Sequence, residues 1–186
     1  MTRRPLSRPV VLVVVAALAA LVLAADQFTK YLTVTYLPFQ RVVPVWGSVL
    51  EWYSTTNSGA AFSLGEGVTW LFTIALAVVT VGIVWKSFAV RSRLWTLVLG
   101  LLLGGVLGNL SDRLFRPPGF AVGHVVDMIH LPWMMPAVFN VADIFIVSGM
   151  IAVALLIVLG VRLDGTRDRG ADAAADPGET EPVAAE

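Results

Sequence analysis

Residues 137–161 read AVFNVADIFIVSGMIAVALLIVLGV, a run interrupted by polar side chains chiefly at Asn140 and Asp143. As a helix it is long enough to cross about 30 Å of hydrocarbon, which takes about 20 residues. Three further runs meet the same requirement, at about 10–32, 68–85 and 94–110. The whole chain of 186 residues is 57% hydrophobic and 14% charged, with a mean hydropathy of +0.80. Soluble domains carry roughly 25% charged residues, so the reading is an integral membrane α-helical protein built as a four-helix bundle. Between the first two runs, about 33–67, "RVVPVWGSVLEWYSTT" is rich in β-branched and aromatic residues and punctuated by Pro38, Pro44 and Gly47. That pattern predicts short strands, hence a small β-sheet segment on one side of the membrane. Residues 1–163 form the membrane domain in this reading, and the acidic, Ala/Pro/Gly-rich stretch 164–186 is expected to be a disordered cytoplasmic tail.

Composition excludes several chemistries. Formal net charge is zero, which removes the bulk electrostatic case for nucleic acid. Cysteine is absent, so disulfides, thiol nucleophiles and cysteine metal sites are absent too. With only His124 and His130 available, a metal centre would depend on carboxylates, and neither metal nor cofactor is expected. The N-terminus, MTRRPLSRPVVLVVVAALAALVLAAD, has the basic start and small residues of a cleavable signal peptide. The apolar stretch is long for that purpose and continues helically through "DQFTKYL", so a retained first span is favoured.

Basic residues set the orientation of a membrane protein. Arg3, Arg4 and Arg8 precede the first run, Lys86, Arg91 and Arg93 lie between the second and third, and Arg162, Arg167 and Arg169 follow the fourth. Only Lys30, Arg41, Arg113 and Arg116 fall at the opposite ends. Both termini should therefore be cytoplasmic, with the two longer connections outside. The second of these, 115–136, holds Pro117, Pro118, Gly119, Pro132 and Pro136, too many breaks for a continuous helix, and its "IHLPWMMP" is expected to lie at the membrane interface.

The polar exceptions gather at that outer boundary: Asp26 and Lys30, Asn57 before the Ser58-Gly59 turn of "NSGAAFSL", Asn109, Asp112 and Arg113 in "GNLSDRL", Asp127 in "VVDM", and Asn140 with Asp143. Ionisable groups at such depth are costly and mark function by default. Each also has a structural reading. Asp26 and Lys30, at i and i+4, suit a helix-surface ion pair with Lys30 snorkelling. Asn140 suits an N-cap, with Asp143 near the helix dipole. "NLSD" repeats the N-x-x-D spacing at the exit of a span, where capping is impossible. Gly104, Gly105 and Gly108, close to one helical face, favour tight helix packing.

Serine chemistry needs a base. Lys30 could serve Ser58, Ser63 or Ser111, and none of these is favoured; a His would have to come from the Pro-flanked loop. Two carboxylates, Asp127 and Asp143, flank that loop and can be brought together by it. Near hydrocarbon they would share one proton. The ionised member can then deprotonate water while the protonated one donates to a carbonyl oxygen. A non-enzymatic membrane module, such as a small transporter, would instead carry polar residues through to the cytoplasmic face, and the inner halves of these runs are nearly free of charge.

In their order along a four-span chain, "DQFTKYL", "NSGAAFSL", "GNLSDRL", "VVDM" and "FNVADIFI" resemble the lipoprotein signal peptidase family, signal peptidase II, over roughly 10–161. The resemblance implies an aspartyl endopeptidase of the bacterial cytoplasmic membrane, without cofactor or metal, that cleaves prolipoproteins before a diacylglyceryl-modified cysteine. It implies Asp127 and Asp143 as the catalytic pair. It also implies Asn57 and Arg113 at positions that contact substrate or the cyclic peptide globomycin, with Gly59 binding substrate or supporting the pocket beside them. Asn109, Asp112 and Asn140 would line or support the pocket, and Asp26 with Lys30 would support it from the first span. The expected partners are prolipoproteins and membrane lipids, with the chain acting as a monomer.

Overall fold

The computed structural model describes residues 5–59 and 68–167. Among the described residues four helices are long and apolar enough to cross a membrane: α1 (Arg8–Tyr36), α2 (Thr69–Ser87), α3 (Arg93–Phe115) and α4 (Val141–Val158). Four strands, β1 (Val42–Trp46), β2 (Leu50–Asn57), β3 (Val125–His130) and β4 (Val138–Phe139), form one antiparallel sheet in the order β1-β2-β3-β4.

Helix ends follow local chemistry. Pro9 sits in the first turn of α1, where its missing N–H leaves no bond unmade. Ser92 caps α3 through the Trp95 N–H. At α4, Asn140 and Asp143 form a reciprocal capping box, each side chain accepting the other's backbone N–H at 3.0 Å. The fourth apolar run therefore becomes helical only from Val141, and Val138–Phe139 before the cap pair with β3.

α3 is the central and most enclosed helix. Its glycines make two grooves rather than one, which corrects the single-face expectation. A Cβ on Gly104 would meet Val22 Cβ at 2.5 Å, and one on Gly108 would meet Asp26 Oδ2 at 2.6 Å, so this row seats α1. A Cβ on Gly105 would meet the Ala142 carbonyl at 2.7 Å, so Gly105 seats α4. The offset is geometric: adjacent helical residues differ by about 100° around the axis.

The sheet also exceeds its sequence reading. The segment after α3 contributes β3, which pairs with β2 in a register of Thr55 with Asp127 and Asn57 with Val125. Asp127 is thus mid-strand rather than at the lip of a loop, and part of the second long connection is a strand. The β-branched residues Val125, Val126 and Ile129 carry that strand signal, which the surrounding prolines obscured. On the opposite side of the molecule, Leu163 O accepts from both Arg91 N and Ser92 N, tying the end of α4 to the α2–α3 loop. Asp164 then opens a turn through Thr166, and the remainder of the expected tail, 168–186, lies outside the described residues.

Candidate active site

Three helices meet at a fully buried ion cluster. Lys30 Nζ lies 2.8 Å from both Asp26 Oδ2 and Asp112 Oδ2 and 3.0 Å from Asn109 Oδ1. Lys30, Asp26 and Asp112 are each completely enclosed, so the surface ion pair and snorkelling lysine do not describe this site. A single lysine between two carboxylates satisfies all three groups where water is excluded. It is also what the i, i+4 spacing of Asp26 and Lys30 permits once α3 supplies Asp112. Asp26 Oδ1 accepts the Ala142 N–H of α4 at 2.9 Å, and Asp112 Oδ2 accepts the Val126 N–H of β3 at 3.1 Å. The cluster thereby pins both elements that carry the other two aspartates.

Gln27 escaped the sequence reading, although it stands inside "DQFTK". Its amide donates to Asp26 Oδ2, Gly108 O and Asp112 Oδ1 at 3.0–3.2 Å. Arg116 escaped it too, and donates to Asp112 Oδ1 at 2.6 Å. Position i+4 from Asp112 was the available signal.

Asp127 and Asp143 converge on Asn140. The Asn140 Nδ2 donates to Asp127 Oδ1 at 2.6 Å, and its backbone N–H donates to Asp143 Oδ2 at 3.0 Å. Asn109 Nδ2 donates to Asp143 Oδ1 at 2.7 Å. Asp127 is buried, and desolvation, followed by the nearby Asp143 charge, pushes its carboxyl up to about 7. Among the described residues no three His, Asp or Glu side chains gather where they could hold a metal ion.

Arg113 is buried beside this pair. It donates to the Ser58, Gly59 and Gly123 carbonyls and lies 5.9 Å from the Phe72 ring. Asn57 Oδ1 accepts the Gly59 N–H at 2.9 Å, so Asn57, Gly59 and Arg113 shape one wall as a unit. These groups border a cavity of about 720 Å³. Its other walls are apolar, from Phe72 and Leu76 of α2 and Ile144, Val147 and Ile151 of α4. All ten residues singled out from the sequence thus fall in one connected arrangement. Asp127, Asp143, Asn57, Gly59, Asn109 and Arg113 reach the cavity, while Asp26, Lys30, Asp112 and Asn140 stand behind it.

Such an arrangement, two carboxylates at one end of an apolar cleft, suits general acid–base hydrolysis. Comparison with known proteins gives a concordant picture. Two solved structures, both of bacterial membrane enzymes determined by the in meso method, share the fold. One, at 2.3 Å resolution, aligns with a TM-score of 0.71 at 24% identity, covering 85% of this chain and 93% of the other. The second, at 1.9 Å, gives 0.68 at 25% identity over 84% and 97%. The lipoprotein signal peptidase of Leifsonia xyli subsp. xyli is 46% identical over 85% of this chain and 73% of its own length. That of Mycobacterium avium is 44% identical over 86% and 87%. The family described as "Signal peptidase (SPase) II" matches residues 18–159, a stretch that contains the entire polar cluster, and this chain belongs to that family.

Proposed function

We propose that Asp127 and Asp143 are the catalytic carboxylates with which this membrane-embedded aspartic peptidase removes signal peptides from prolipoproteins. One observation carries the assignment: both side chains are held by Asn140 at the polar end of an otherwise apolar cavity. Two carboxyls so placed share one proton, because a second charge in the same dry site is costly. The ionised member takes a proton from water as the water attacks the scissile carbonyl. The protonated member donates to the carbonyl oxygen, lowering the charge that builds up there.

The cavity supports a lipidated substrate. Its α2 and α4 walls offer apolar surface to the signal helix and to the acyl chains of a diacylglyceryl-modified cysteine. Cleavage before that cysteine would bring the scissile bond to the headgroup boundary, level with the Asp pair. The Arg113 guanidinium and the Asn57–Gly59 turn provide polar contacts for the backbone near the cut, and a cyclic peptide such as globomycin would compete for the same wall. The basic residues beside the ends of α1, α2, α3 and α4 support cytoplasmic termini and an active site facing outward from the bacterial cytoplasmic membrane. The chain carries all of these residues itself, which supports a monomer acting among membrane lipids.

The test is cleavage of a diacylglyceryl-modified prolipoprotein by purified full-length protein. Asp127→Asn and Asp143→Asn should each lower kcat by at least about 10³-fold, since each removes one half of the acid–base pair. Turnover at the unsubstituted rate by either variant would refute the paired mechanism.

A further inference from the structure

Arg113 is a buried cation held without a carboxylate. The neighbouring ion pairs join Lys30 and Arg116 to Asp112, and among the described residues no ion pair includes Arg113. Instead its Nη1 donates to the Ser58 and Gly123 carbonyls at 2.9 and 3.3 Å, and its Nη2 donates to the Gly59 carbonyl. Its Nε, also buried, has no hydrogen-bond partner among the described residues, and the residue is only 3% exposed. A buried charge is costly unless compensated, and three carbonyl dipoles supply part of that compensation. An aromatic ring adds to it. The Phe72 centroid lies 5.9 Å from Arg113 Cζ, within the roughly 6 Å over which a ring face attracts a cation.

The outer end of α2 is fastened so as to present that ring. Thr69, Phe72 and Thr73 stand at i, i+3 and i+4 and so share one side of the helix. The Thr69 hydroxyl donates to the Ser58 carbonyl at 2.7 Å, the same oxygen that accepts from Arg113. The Thr73 hydroxyl donates to the Ala121 carbonyl at 2.8 Å, two residues before Gly123, which also accepts from Arg113. These two bonds fix the height and rotation of α2 on either side of Phe72. Phe72 also borders the cavity. As apolar wall alone, an aliphatic side chain of similar bulk would serve there equally well. Only a π face can also attract the guanidinium.

We infer that Phe72 is a positioning residue for the peptidase reaction: its ring face holds the Arg113 guanidinium, and with it the Ser58–Gly59 turn, along the substrate wall of the cavity. The inference rests on the function proposed above, in which Arg113 and the Asn57–Gly59 turn contact the substrate backbone near the cut. It gives α2 a part in recognising that backbone, beyond apolar contact with the signal helix. The ring takes no part in making or breaking bonds. Its loss therefore weakens substrate binding and leaves the chemical step in place.

The experiment uses the full chain and a diacylglyceryl-modified prolipoprotein. Phe72 is replaced by mono-, di- and trifluorinated phenylalanine, which drain the π face while nearly preserving its shape. KM should rise stepwise with fluorine, reaching about 2- to 30-fold at three, with kcat changed less than about twofold. Phe72→Leu, which keeps apolar bulk without a π face, should resemble the trifluorinated protein. In an Arg113→Met background the fluorine series should be flat, because the cation it acts on is gone. If that background does not fold, the series in the parent carries the test. A KM indifferent to fluorine would reduce Phe72 to apolar wall and overturn the proposal. An equal rise in the Arg113→Met background would overturn it too. The catalytic pair is judged separately, by whether Asp127→Asn and Asp143→Asn still turn over substrate.

Discussion

Asn140 is where two explanations of one motif prove compatible. Read as a cap, its side chain takes the Asp143 N–H and starts α4. In three dimensions the other end of the same amide reaches Asp127, so the cap also aligns the site. Asn140→Ala should therefore cost about 1–3 kcal/mol of stability, through the lost cap and unmet polar groups. It should also lower kcat by more than about 10²-fold. Thermal melting and cleavage assays on one preparation separate the two effects, since a cap alone would leave kcat intact in the folded fraction. Asp127 permits a pH prediction. Its carboxyl is raised to about 7 in the folded protein, chiefly by desolvation, against about 3.9 unfolded. The native state then binds the extra proton across that interval, so stability is fullest below about pH 4 and declines as pH rises toward about 7. Melting temperature should show this decline in detergent, and Asp127→Asn should abolish that component. Activity should also fall above about pH 7, where the pair loses its shared proton.

Among the elements, α3 organises the others because its small residues let backbones approach from two sides. Without a strong hydrophobic force between helices in lipid, close packing and interhelical hydrogen bonds supply association. A methyl group at Gly105 would press on the Ala142 backbone carbonyl, one residue from Asp143, and backbone cannot swing aside as a flexible side chain can. Gly105→Ala should destabilise by about 1–3 kcal/mol and lower kcat by moving the start of α4. At Gly82 of α2 a Cβ meets nothing within 4 Å, so Gly82→Ala should leave melting unchanged or raise it slightly, as alanine favours helix. Melting curves of the two variants against the parent check the contrast. The sheet has a comparable positioning role: pairing with β2 holds β3, and the Asp112 carboxylate fastens Val126 of β3 to α3.

For the whole molecule, the distribution of charge and the depth of the site belong together. Basic residues flank one set of helix ends, and the ion cluster and sheet lie at the other. Because the chain has no cysteine, single substitutions report sidedness without background. Arg41→Cys, exposed before β1, should react with a membrane-impermeant maleimide in intact cells. Arg93→Cys, exposed at the start of α3, should react only after permeabilisation. The opposite pattern would invert the proposed orientation.

Composition and pattern along the chain were enough for the four spans, their charge bias and most of the polar residues that cluster, Gln27 and Arg116 excepted. Hydrophobic length and the cost of burying charge are local properties, legible one segment at a time. The sequence also carried the capping box, whose residues are three apart. Only tertiary structure decided that Lys30 is enclosed rather than snorkelling, because its second carboxylate, Asp112, stands 82 positions away on α3. The same holds for the inclusion of β3 in the sheet, the two-sided glycine packing of α3 and the meeting of Asp127 with Asp143 on one asparagine. Each depends on which faces of separate elements meet, and spacing along the chain does not encode that.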